Sequence, residues 1–193
     1  MTANRQSAHI EYIEGVLRAL IQEARQAPFW NDAHFLDSRP APKVWTPAET
    51  AAHVNATFET YIPRIELAIH KAKARGWRAG GDMRYSPRGR SLLRRVAPDA
   101  SRRYKSPKAF NFFGKKVGPV QGKVMVIHVE RFLRTLQMAR EVDCSYASVR
   151  KVNSTYGSYL LGELMEWLAL HTPANTLIRL YSVTKRVKAN PEP

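Results

Sequence analysis

With 193 residues and 44% hydrophobic content, the chain can bury one good core and is short for two, so a single domain spanning residues 1–193 is expected. One cysteine, Cys144, excludes an intramolecular disulfide and a cysteine-rich zinc module, and nothing in Val142-Asp143-Cys144-Ser145 would activate a thiolate. The formal charge of +15 rests almost wholly on residues 71–116, where 15 Lys and Arg stand against only Asp82 and Asp99.

Residues 1–6 lead straight into an amphipathic pattern without the apolar stretch of a signal peptide, and no run of eighteen apolar residues follows. The expectation is a soluble, cytoplasmic protein with no transmembrane segment. Apolar residues recur at helical spacing in four segments and nowhere at a sustained period of two, so the predicted class is all-α. The first helix is predicted from about Ser7 to Ala27, with Ile10, Ile13, Leu17, Ile21 and Ala24 inward and Glu11, Arg18 and Arg25 outward.

The second helix has a legible start: Thr46 can cap it, Pro47 suits its first turn, and Glu49 completes a capping box. Its apolar stripe is Ala51, Val54, Phe58, Ile62, Ile65 and Ile69, and it is expected to end near Gly76. Pro63 removes one backbone donor and predicts a kink over residues 59–62. Residues 77–118 are rich in Gly, Pro, Ser and Arg and read as a long basic loop with a short helix around Ser91 to Val96. Tyr104, Phe110, Phe112 and Phe113 predict that its second half packs.

The third helix is predicted from about Val120 to Glu141, with Met125, Val129, Phe132, Leu136 and Ala139 inward. The fourth starts near Ser158 and carries Leu161, Leu164, Leu168, His171, Asn175 and Ile178 on one stripe. The tail from about 185 to 193 is polar and expected to fray.

Residues four apart on a helix share a face, so His171 and position 175 point into one space, where a helix-borne pair and a third ligand from another helix can hold a divalent ion. His53, at the margin of the second helix's stripe, is the natural third party. His128 falls on a flank with Arg131, and His70 is expected to face solvent. Glu163 and Glu166 are expected to be exposed, in salt-bridging or capping roles, and no catalytic residue can be named.

Trp45-Thr46-Pro47-Ala48-Glu49-Thr50-Ala51-Ala52-His53-Val54 resembles the Trp-Ser/Thr-x-x-Glu-x-x-x-His signature of DinB-like (damage-inducible) proteins. Leu161-Gly162-Glu163-Leu164 followed by His171-Thr172-Pro173-Ala174-Asn175 is similar to their closing helix, which normally ends His-x-x-x-His. Lys105-Ser106-Pro107-Lys108-Ala109-Phe110-Asn111 is similar to the stretch that many members place before the third helix. The resemblance covers about residues 7–182. It implies a four-helix bundle, often a homodimer, with a pocket at one end and zinc or nickel on three histidines. Members act as thiol transferases or hydrolases on small molecules, or have no known activity.

Carried over, His53 and His171 are two ligands of that set and Asn175 stands in the third place. A carboxamide oxygen is a weak donor for zinc or nickel compared with imidazole. The expected outcome is a degenerate, metal-free site that binds a small ligand or partner, with a zinc- or nickel-dependent enzyme using His53 and His171 as the alternative. Residues 71–116 carry a second alternative, because counterion release lets such a cluster, interleaved with Trp77, Tyr85 and Tyr104, bind anions or nucleic acid.

Overall fold

A computed structural model describes residues 5–26, 32–39, 41–96, 106–118, 120–149 and 158–171. In chain order they form α1 (Arg5–Gln26), α2 (Ala33–Asp37), α3 (Pro47–Ala74), α4 (Pro87–Val96), a 3-10 turn (Lys108–Phe110), α5 (Gln121–Ala139), β1 (Ser148–Val149), β2 (Tyr159–Leu160) and α6 (Leu161–His171). The class is all-α, as the periodicity predicts. The one strand pair among the described residues is two residues long, antiparallel, with Ser148 opposite Leu160 and Val149 opposite Tyr159. A ladder that short has no sequence period to detect.

Over the described residues, the predicted stripes are the buried faces. Ile10, Ile13 and Leu17 of α1, Ala51, Phe58, Ile62 and Ile65 of α3, Phe132 and Leu136 of α5, and Leu161 and Leu168 of α6 are fully buried in one apolar cluster. Each such Leu, Ile or Phe contributes about 1.5–3 kcal/mol of transfer free energy. Leu36 of α2, a helix too short to show a period, joins the same cluster. α3 and α5 make the most extensive contact, with Phe58 and Phe132 ring centroids 5.8 Å apart. On their flank Arg131 donates to both oxygens of Glu66, and this pairing holds the Glu66 carboxyl below the usual carboxylate range. α3 continues as helix through Pro63, which is exposed.

One helix extends well beyond its expected limits. α4 begins at Pro87 rather than Ser91, because Ser86 caps it by accepting from the Gly89 amide at 2.9 Å. The segment ahead of it is stitched to the turn after α5: Ser145 Oγ accepts from Arg84 N at 2.8 Å and donates to the Asp82 carbonyl at 3.0 Å. Gln6 ties α1 to the same turn, donating to the Val142 carbonyl at 2.8 Å and accepting from Cys144 N at 3.1 Å. Cys144 itself is buried, and burial raises its thiol to about 12. As its sequence context indicates, it has no nucleophilic character.

Among the described residues no helix is long and apolar enough to cross a membrane. The expected fraying tail, Tyr104, Arg102, Arg103, Lys105, Pro173, Asn175 and Ile178 lie outside the described residues.

Candidate functional site

The start of α3 is built by the predicted capping box. Thr46 Oγ1 accepts from Glu49 N at 3.1 Å, and Glu49 Oε2 accepts from Thr46 N at 2.9 Å. Glu49 also does more than cap. Its carboxylate is buried, and Oε1 accepts from Arg39 Nη2 at 2.6 Å and from the Gly114 amide at 2.7 Å. Arg39 in turn donates to the Val44 carbonyl and lies 4.5 Å over the Phe113 ring. Gly114 has φ of +71°, a left-handed conformation that suits glycine. One carboxylate therefore fixes the helix start, the segment leading into it and the loop after the 3-10 turn.

That loop covers His53, one turn further along α3. His53 Nδ1 lies 2.8 Å from the Phe110 carbonyl oxygen and 3.4 Å from Ser106 Oγ. A carbonyl only accepts, so His53 Nδ1 carries a proton. Trp45 and Phe110 stand edge-on to the imidazole, with centroids at 5.2 and 6.4 Å. Phe110 also lies 6.0 Å from Tyr61, and Tyr61 lies 5.2 Å from Trp167 of α6. An aromatic series thus runs from His53 to the last turn of α6.

The start of α6 lies at the opposite end of α3: Gly162 N donates to the Cys144 carbonyl, and Asp143 N donates to the carbonyl of Trp77, three residues past α3. α6 therefore runs antiparallel to α3, and His171 closes it toward the end of α3 that carries His53. Asn175, in the third expected position, lies outside the described residues. Among those described, no group of three or more His, Cys, Asp or Glu could hold a metal ion. A carbonyl bond to Nδ1 is the kind of orienting contact that a ligating histidine takes from outside its metal.

The remaining histidines fall elsewhere. His128 stacks on Phe58 at 6.3 Å, with Nε2 3.4 Å from Glu59 Oε1, and His70 is exposed as expected.

Glu163 and Glu166 take the capping and ion-pairing roles expected of them, but neither is exposed. Glu163 is fully buried rather than exposed, and it caps two helices at once. Its Oε2 accepts from Leu160 N at 2.9 Å at the start of α6, and its Oε1 accepts from Ser86 N at the start of α4. In a capping box the third residue of α4 would supply that carboxylate; here the third residue is Gly89, and α6 supplies it from outside. Gly162 has a matching role, because a side chain there would collide with Met83. The Gly162-Glu163 pair thus docks residues 83–89 onto α6. Glu166, one turn on from Gly162, is half-buried and joins His9 and Tyr85: Tyr85 Oη donates to Glu166 Oε2 at 2.5 Å, and His9 Nε2 lies 3.2 Å from that oxygen and 2.9 Å from Tyr85 Oη. Helical spacing alone does not predict this group, since its members come from α1, α6 and the segment before α4.

The basic segment is partly structured. Arg75 lies 4.9 Å over the Trp77 ring, and Tyr146, 65% exposed, meets Trp77 edge-on at 4.7 Å. Arg88, Arg90 and Arg94 are exposed on α4.

Comparison of the chain with protein-family models, with curated proteins and with solved structures returns no match.

Proposed function

We propose that the chain is a DinB-like four-helix bundle with a degenerate metal site, and that it binds a small ligand or partner at the bundle end that carries His53. The supporting observation is the meeting at His53 of two separate stretches that resemble the family. The imidazole of the Trp45-to-His53 stretch takes its orienting bond from the Phe110 carbonyl of the Ser106-to-Asn111 stretch. The third stretch, α6, reaches the same aromatic series through Trp167. His53 and His171 are the imidazoles such a site would use, and a bound ion would supply a Lewis acid there. The carboxamide of Asn175 in place of a third imidazole weakens the donor set for a first-row ion.

Protein purified without added metal is expected to hold far less than one zinc or nickel per chain and to melt at the same temperature in chelator. Asn175→His is expected to raise zinc affinity by about tenfold or more, and adding His53→Ala is expected to abolish that gain. Stoichiometric zinc or nickel in the unaltered chain, lost in His53→Ala, would instead support the metal-dependent enzyme.

A second reading, an anion or nucleic-acid binder through residues 71–116, is favoured by the grouping of Arg75, Trp77 and Tyr146, an exposed aromatic edge beside one guanidinium group. It predicts retention on single-stranded DNA at low salt that falls steeply as salt rises and weakens in Tyr146→Ala. Absence of retention at low salt removes it.

A further inference from the structure

The segment from Tyr85 through α4 forms, with α6, a shallow open cleft of about 370 Å³ whose wall is mostly apolar and whose lining residues are Tyr85, Arg90, Leu93, Arg94 and Glu166. We propose that this cleft is a binding site for a small molecule carrying an anionic group and, beside it, a hydrogen-bond donor such as an ammonium or hydroxyl.

The cationic side follows from how α4 is seated. Gly89 and Leu92 are its buried residues, so Arg90 and Arg94, four apart, share a face at the cleft. Arg90 Nη1 donates to the Tyr85 carbonyl at 2.6 Å, which orients the guanidinium, and Arg94 Nε lies 3.4 Å from the Arg90 carbonyl. Among the described residues neither has a carboxylate within ion-pair distance. Two guanidinium forks one turn apart suit a carboxylate or a phosphate.

The opposite side is a preset acceptor. Tyr85 Oη and His9 Nε2 both converge on Glu166 Oε2, and among the described residues no hydrogen bond occupies Oε1. Burial raises the Glu166 carboxyl, but the hydrogen bonds from His9 and Tyr85 outweigh it, leaving the group below the usual carboxylate range and ionised at neutral pH. Burial, reinforced by the bond to Glu166, pushes the Tyr85 phenol far above its ordinary value, so it remains a donor that holds Glu166 in place. A bare anion at the two arginines would meet the Glu166 charge without satisfying it. An anion with an adjacent donor satisfies both sides.

Three probes added to the full chain at low salt, followed by calorimetry, test the proposal: O-phosphoethanolamine, inorganic phosphate and ethanolamine. O-phosphoethanolamine is expected to bind about tenfold or more tightly than either fragment. Arg94→Gln, at an exposed position that leaves the fold intact, is expected to weaken both phosphate probes by about tenfold. Glu166→Gln is expected to erase the preference for O-phosphoethanolamine over phosphate. Equal binding of the two phosphate probes to the unaltered chain, no binding of any probe, or unchanged affinity in Arg94→Gln overturns the proposal. Should Glu166→Gln fail to fold, the Arg94→Gln result and the ranking of the probes decide it.

Discussion

Gly89→Ala is expected to destabilise the protein by about 3 kcal/mol, lowering the thermal midpoint by roughly 6–12 °C. At an exposed site inside a helix the same change would raise stability by about 0.5–1 kcal/mol, so the sign of the effect alone is diagnostic. The reason is the Glu163 carboxyl. A methyl group at position 89 would occupy the space of its Cγ, Cδ and Oε1. The carboxyl would have to withdraw from Ser86 N, and with it from Leu160 N, loosening the first turns of α4 and α6 together. Each lost cap costs about 0.5–2 kcal/mol, on top of the strain of overpacking. Thermal melts of Gly89→Ala, Glu163→Ala and the double variant check the account. Once Glu163 is already alanine, the Gly89 change is expected to cost little, a coupling of about 1–3 kcal/mol. Additive effects of the two changes would show that the close approach is not the cause.

Glu49→Ala is expected to cost more, about 3–5 kcal/mol, because it strips the partner from a guanidinium and two backbone amides in one step. The carboxylate is 2% exposed, and Arg39, Thr46 N and Gly114 N all converge on it. Arg39→Ala is expected to be milder, since the two amides would still satisfy the carboxylate. The loss at Glu49 also reaches the site, because Gly114 anchors the loop whose Phe110 carbonyl orients His53. Denaturant titration gives the stability difference. In a Glu49→Gln variant that remains folded, imidazole NMR signals are expected to show His53 exchanging between tautomers instead of holding the proton on Nδ1. A His53 signal identical to that of the unaltered chain would sever the link between cap and site.

The long helices were legible because one face of each is buried against a single core, which leaves a period of about 3.6 in the order of apolar residues. Thr46-Pro47 and Glu49 marked the start of α3 correctly because a capping box is a local device. What stayed hidden was carried by partners distant in sequence. Glu163 reads as an acidic residue on a helix surface until Ser86 and Leu160 are seen to share it, and the reciprocal half of the α4 cap, completing the bond from Gly89 N to Ser86, comes from α6. For the site, sequence order placed His53 beside the helix stripe but gave no sign that the Phe110 carbonyl would set its tautomer, a contact 57 residues away along the chain. The cluster of His9, Tyr85 and Glu166 spans three elements for the same reason.

The lone thiol offers a clock for the opening of this architecture. Cys144 sits where Gln6 of α1, the turn after α5 and Gly162 of α6 meet, and burial keeps it protonated as well as covered. A thiol reagent can reach the sulfur only after these elements part, and the thiolate forms readily only once water surrounds it. The labelling rate of the native protein therefore reports how readily this corner of the fold opens, measurable in a single chain without any introduced probe.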